Sequence, residues 1–361
     1  MHNWNEQFTQ LLRGSLPAHW GNWALSPDIA PGAVGILDPA SGEFRLVNRK
    51  LDGLGETDIL RTPLSSDWNM MTSSVSRKES SISLDGSATD PETGVKITAG
   101  VQVEWKMAKA GDMVSQCALD ATVTLNAIDR LLGSRMEWLE SQASAASMSS
   151  DRGISQGFGV ITSVLYARSG LNLASLSDDN SFSISGSASG IHKMLGEAKG
   201  SGSFVSTNAT KSTDKHLWPS ESNTLPASPV PIAFSFASFD GRLLLPRWIT
   251  RIGSYQLVLR NNHGGTYIVK AELNYDCGKG HQKRTASVSG GLTTAFGDIP
   301  LDASNIDLKL EFVCVGPNQH QSFHWNNPRG EWINGVRHID IHGVWPGPTS
   351  AVDAEASIKL S

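Results

Sequence analysis

A chain of 361 residues with 39% hydrophobic content is long enough for two domains and belongs with globular proteins rather than disordered ones. Its 30 basic and 35 acidic residues leave no concentrated basic face, which sets nucleic acid aside as a partner. The 35 glycines and the low charged fraction of 18% favour β structure with many tight turns over a helical bundle.

Residues 1 to 14 carry no basic segment followed by a continuous apolar stretch, so no secretory signal is expected. A helical membrane anchor is not expected either, because no run of about 18 apolar residues exists. A β-barrel former would escape that test, since half of each spanning strand is polar. Cys117, Cys277 and Cys314 are too few and too scattered for a disulfide scaffold. They suit a reducing compartment, and a soluble cytoplasmic precursor is the expected form.

In chain order, the spacing of Phe8, Leu11 and Leu12 predicts a short helix over Glu6 to Arg13. Two apolar runs, 32 to 38 and 41 to 47, meet at an Asp-Pro-Ala-Ser-Gly turn and read as a hairpin. Residues 79 to 107 form the first of two amphipathic hairpins, turning at Asp90-Pro91-Glu92-Thr93-Gly94. Its apolar face is Ile82, Leu84, Val95, Ile97, Ala99, Val101, Val103 and Trp105, in strict period-two alternation from Val95 against Lys96, Thr98, Gly100, Gln102 and Glu104.

Leu125, Ile128, Leu131, Leu132, Met136 and Leu139 predict an amphipathic helix, and Phe158 to Leu173 reads as a buried strand. The second amphipathic hairpin sets Ser181, Ser183, Ser185, Ser187 and Ser189 against Phe182, Ile184, Gly186 and Ala188, and returns through Ala198, Gly200, Gly202 and Phe204. Pro231 to Phe239 supplies another strand. From Tyr255 the pattern is purely β, so the boundary is expected between Asp240 and Gly253, giving domains 1–250 and 251–361. Arg242, Arg247 and Arg251 in that connector form a protease-accessible region.

Three further features bear on chemistry. Gly153-Ile154-Ser155-Gln156-Gly157 matches the G-x-S-x-G pattern, but a polar loop precedes it and a strand follows, the reverse of a nucleophile elbow. His338, Asp340 and His342 alternate along one strand and so share a face, the arrangement for a divalent metal or for ordinary exposed polar residues. Trp325, Trp332 and Trp345 stand among Asn, Gly and Pro, placing them on loops or strand ends where rings favour a bilayer interface or a sugar face. Each amphipathic segment taken alone also describes a half-buried strand of a soluble sheet.

The order of hairpin, helix, loop, apolar strand, Ser/Gly hairpin and Pro-opened strand resembles the pore-forming domain of gasdermins over roughly residues 1–250. Phe158-Gly159-Val160-Ile161-Thr162-Ser163-Val164-Leu165, the segment Ser181 to Phe204, and Thr224-Leu225-Pro226 leading into Ile232-Ala233-Phe234 carry the likeness. It implies a soluble, autoinhibited protein that, once cut by a protease, oligomerises with further copies and inserts two hairpins per subunit into membrane lipids as a β-barrel, causing cell death. Gasdermins engage acidic lipids with a basic N-terminal helix, whereas the first twelve residues here contain no Lys or Arg. The C-terminal region looks like the membrane-recognition β-sandwich of cholesterol-dependent cytolysins, in Gly265-Thr266-Tyr267-Ile268-Val269-Lys270 and Thr293 to Leu301.

The expected fold is therefore α+β: a twisted antiparallel sheet with peripheral helices and two amphipathic β-hairpins, followed by an all-β sandwich domain. Pore formation of this kind needs no catalysis and no cofactor. The alternative is a soluble two-domain β binding module for glycan or protein, without membrane insertion.

Overall fold

The computed structural model describes residues 3–65, 67–86, 88–262, 268–313, 318–343 and 349–356. The chain folds into two compact units, Met1–Ser147 with Gly157–Phe236, and Met148–Gln156 with Ala237–Ser361. Both are built mainly from antiparallel strand pairs with a minority of helices, a mixed α+β architecture, and in the second unit Tyr255–Asn261 pairs in parallel with Val336–Gly343.

The first unit opens with α1 (Trp4–Arg13), which Asn3 caps by accepting from the Glu6 amide and which buries Phe8 and Leu12. The apolar runs at 34–37 and 44–48 pair as expected, closed by Asp38, whose carboxylate accepts from the Ala40 amide and the Ser41 hydroxyl. Next come β1 (Val75–Ser83), β2 (Ala99–Met107) and β3 (Met113–Leu125), then α2 (Ile128–Gly133) and α3 (Met136–Ala145). One helix was expected where two stand. The break falls at Ser134-Arg135, where Ser134 Oγ bonds the Leu131 carbonyl and Arg135 Nε turns away to the Asp52 carbonyl.

The apolar run from Phe158 becomes β4 (Phe158–Ser175), an 18-residue strand buried along most of its length. It pairs antiparallel with β3, with register shifts around Ala167. Such irregularities bend and twist a long strand. After it come β5 (Asn180–Gly186), α4 (Ala188–Met194) and β6 (Ser206–Ala209). Among the described residues, β6, β5, β2 and β1 form a separate four-stranded sheet in that order.

In the second unit, β7 (Tyr255–Asn261), β8 (Ile268–Cys277), β9 (Gly280–Ser289), β10 (Thr293–Ile299), β11 (Ser304–Val313), β12 (Gln319–Trp325), β13 (Val336–Gly343) and β14 (Thr349–Asp353) follow one another. They make two sheets, ordered β10-β7-β13-β14 and β9-β8-β11-β12, whose alternating inward residues share one apolar core. Trp325 and Trp332 belong to that core. They are 3% and 1% exposed and meet edge to face at 5.4 Å, with Tyr255 against Trp332 at 5.7 Å. The interfacial position expected of both is thus corrected: their Asn/Gly/Pro neighbours put them at chain turns, but the rings fold inward and close one end of the core. Trp345 lies outside the described residues.

The core end is fixed by one carboxylate. Asp353 Oδ2 accepts from Arg337 Nε at 2.9 Å, Arg337 Nη2 at 2.6 Å and Trp325 Nε1 at 3.3 Å, while its other oxygen takes the Glu355 and Ala356 amides. Removing one member of a buried pair strands the other charge and costs about 3–5 kcal/mol. Asp353→Ala is therefore expected to destabilise the second unit by that order, whereas Lys279→Ala at an exposed turn changes stability by less than about 0.5 kcal/mol. Urea titration followed by tryptophan fluorescence measures both; equal midpoints would remove Asp353 from this role.

Candidate functional site

The two amphipathic segments lie far apart in sequence, yet β2 and β5 are hydrogen-bonded neighbours, with Trp105 opposite Phe182, Val103 opposite Ile184 and Val101 opposite Gly186. Directly opposed residues of an antiparallel pair share a face. Val101, Val103, Trp105, Phe182 and Ile184 thus form one apolar surface, and each is at most 8% exposed. Ile191, Met194 and Leu195 from α4 and its C-terminus, Phe204, and Leu171 and Leu173 of β4 complete the same cluster.

The first hairpin differs from expectation in one respect. β1 pairs with β2 so that Ser81 faces Val101 and Ile82 faces Gly100. Ile82 therefore joins the Gln102 and Glu104 side, as does Leu84, against which a Cβ at Gly100 would press at 2.9 Å. The cause is an odd register step: between the Ser83–Ala99 pair and the Thr89–Lys96 bridge, five residues lie on one side and two on the other. A shift by an odd number reverses the face of every residue beyond it. Ile97 is buried, Ala99 is exposed, and Val95 is 62% exposed in the turn.

The second segment departs further. Phe182, Ile184 and Gly186 are in β5 as expected, but the chain then enters α4, with Ala188 exposed in its first turn. Gly202 and Phe204 lie in the buried return, and pairing with β5 resumes only at Ser206. Ser187 caps the helix by accepting from the Gly190 amide at 3.0 Å, and Ile191, Met194 and Leu195 supply its buried stripe. The return runs so close to α4 that a Cβ at Gly202 would lie 1.9 Å from the Met194 nitrogen. Only glycine fits there.

The connections 84–98 and 187–205 leave the sheet at the same end, since Ser83, Ala99 and Gly186 are its last paired residues there. They are also tied to each other. Ser187 Oγ donates to Asp90 Oδ2 at 2.8 Å, and Lys193 Nζ donates to Glu92. At the far end of α4, His192 Nε2 lies 3.0 Å from Glu79 Oε1, and Arg77 Nη2 lies 2.5 Å from Glu197 Oε1. Arg77 and Glu79 stand opposite Trp105 and Val103, so they rim the apolar surface that α4 covers.

A magnitude decides what holds the cover. Burying three large apolar side chains contributes roughly 5–9 kcal/mol. Ordering the seven residues of α4 costs about 7–14 kcal/mol in backbone freedom. The two are of similar size, so the polar ties decide the margin.

The remaining sequence candidates are placed as follows. His338 Nδ1 lies 2.6 Å from Glu355 Oε1, and Asp340 is held by Arg260 at 2.6 and 2.9 Å. His338 and Asp340 share a strand with His342 but turn to separate partners. Among the described residues, Glu79, His192 and Glu197 do bring three ligand atoms within 4.8 Å of one another. Arg242, Arg247 and Arg251 are exposed, in a segment where Gln156 Oε1 accepts from the Ile252 amide and Trp248 Nε1. Ser155 follows a two-residue strand and precedes β4, so no elbow forms. Cys117 is buried, which pushes its thiol well up, and Cys314 lies outside the described residues. Among the described residues no helix is long and apolar enough to cross a membrane.

Asp90 titrates low. Desolvation alone would raise its carboxyl, but the Ser187 hydroxyl and the Thr93 and Glu92 amides outweigh it and hold the group below the usual carboxylate range. A depressed folded-state pKa gives stability that is present above the unfolded value near about 4 and lost as pH falls through the folded one. Asp90→Asn is therefore expected to destabilise the α4 segment at neutral pH, with the difference from wild type closing below about pH 4. Hydrogen exchange of α4 amides against pH reads this, and a pH-independent difference would dismiss the Asp90 tie.

The chain matches no protein family and no curated protein. Solved structures similar to parts of it include a Gram-negative toxin, at 10% identity and TM-score 0.22 over 92% of this chain and 86% of that one. The human-specific toxin intermedilysin is similar at 10% identity and TM-score 0.19, over 77% and 68% of the two chains. A disulfide-locked mutant of intermedilysin with human CD59 is similar at 11% identity and TM-score 0.20, over 78% and 67%.

Proposed function

We propose that this chain forms membrane pores: copies associate and extend the connections 84–98 and 187–205 into paired strands that continue the four-stranded sheet into the bilayer. The observation that carries the reading is that both connections leave one end of one sheet and are fastened to each other there. Extended, they lengthen β1 and β2 on one side and β5 and β6 on the other. The connections together with the adjoining ends of these strands supply the roughly 9 to 11 residues a spanning strand needs.

In this mechanism α4 unwinds and its apolar stripe exchanges the β2–β5 surface for lipid. Backbone groups freed from the helix are satisfied between strands of a closed barrel. The edge strand β1 is nine residues long and offers unpaired backbone groups to a second copy. Exposed Arg242, Arg247 and Arg251 supply the region where proteolysis would release the precursor. The second unit would recognise the membrane or a receptor, or hold the first unit inactive. Its exposed Ile268 and Leu292 both meet Ser289, Ile268 as its strand partner and Leu292 through its amide. No catalytic step is involved. The precursor is soluble and cytoplasmic, and the activated form is membrane-bound.

A second reading rests on a different observation, a cleft of about 560 Å³ lined by Asn3, Asn5, Trp4, Asn22, Trp23 and Phe44. Its mix of amides and rings suits a soluble binding module for a glycan.

Dye release from liposomes separates the two. Leakage is expected from the chain after limited proteolysis at 242–251, and none from intact or cut protein on any lipid mixture overturns the pore reading. Single-cysteine fluorophores along 95–103 give the geometry: lipid-attached nitroxide should quench positions 97, 99 and 101 and spare 96, 98 and 102 once leakage begins. Uniform quenching would mean binding without strand insertion.

A further inference from the structure

We infer that Glu79, His192 and Glu197 form a binding site for a divalent transition-metal ion such as zinc, and that its occupation fastens α4 to the edge strand β1. The three residues come from β1, from α4 and from the turn after it, and their ligand atoms lie within 4.8 Å of one another. His192 Nε2 is 3.0 Å from Glu79 Oε1 and 3.9 Å from Glu197 Oε2. Ligands bound at about 2.0–2.2 Å around tetrahedral zinc are separated by roughly 3.3 Å, between these two values.

The outer oxygens are already engaged. Glu197 Oε1 accepts from Arg77 Nη2 at 2.5 Å and Gln116 Nε2 at 3.2 Å, and Glu79 Oε2 lies 3.6 Å from Arg77 Nη2. The inner oxygens therefore face the imidazole while their partners fix the carboxylate planes, the arrangement that orients ligands in metal sites. Two carboxylates, one guanidinium and a neutral imidazole leave one negative charge at the cluster, which favours a cation. The nearest further charge on the helix, Lys193, is engaged by Glu92. An imidazole with two carboxylates suits zinc and its neighbours over calcium or magnesium, which take oxygen ligands alone. A fourth position stays open to water.

The three ligands span two elements that separate if α4 unwinds, so the metal stabilises the folded arrangement. Metal binding is read by calorimetry whether or not the chain acts on membranes, so its failure and that of the pore reading are distinct. The test titrates zinc chloride into the full chain after treatment with chelator. One equivalent is expected, with a thermal midpoint that continues to rise with zinc concentration beyond saturation and slowed hydrogen exchange in α4. Glu79→Gln and His192→Ala should each weaken binding by at least about tenfold. His281→Ala, which removes an exposed imidazole paired with Asp276 in the other unit, should leave it unchanged. Absence of binding, or equal affinity in the Glu79 and His192 variants, overturns the site. Zinc bound without slowed exchange in α4 overturns the fastening.

Discussion

The apolar surface shared by β2 and β5 has to be kept from water, and much of the first unit is arranged by that need. Trp105, Phe182, Val103 and Ile184 are too large a patch for an exposed sheet face. β4 and β3 contribute Leu171, Leu173 and Val114 to cover it from one direction. The rest is covered by α4, a helix of seven residues that has no stability of its own at that length. Its position depends on Ser187 at one end and on Arg77 and Glu79 at the other.

Those two charges have a double character that follows from register. By lying opposite Trp105 and Val103 they sit on the apolar side of β1, where a sheet edge would otherwise present packing residues. Inward-pointing charges are a common guard against edge-to-edge pairing. Here they are occupied by His192 and Glu197, so the guard and the fastening of α4 are the same groups.

Sequence periodicity located the sheets well and the two connections less well. β2 was legible because Val101, Val103 and Trp105 alternate with polar residues, and β4 because a long apolar run has nowhere to go but the interior. The face of Ile82 and Leu84 was not legible, since it depends on a three-residue imbalance inside the 84–98 connection that alternation cannot reveal. α4 was missed because Ser187, Ala188 and Ser189 continue the Ser/small pattern of β5 without interruption. Yet Ile191, Met194 and Leu195 carry helical spacing, and Ser187 is a good cap. Trp325 and Trp332 misled because flanking turn residues report chain direction, not where a ring points. The grouping of Glu79 with His192 and Glu197 depends on tertiary contact between residues more than 110 positions apart.

The two ends of α4 are held by ties of different physical kinds. Asp90 is 8% exposed and takes two backbone amides as well as the Ser187 hydroxyl. Such a bond is little screened by salt and is lost only as pH falls through the depressed range of the Asp90 carboxyl. At the C-terminal end, the side chains of Glu79, His192 and Glu197 are 34%, 35% and 30% exposed, so their attraction is screened by ions and modest in strength. The ties to β1 are therefore the more salt-sensitive of the two.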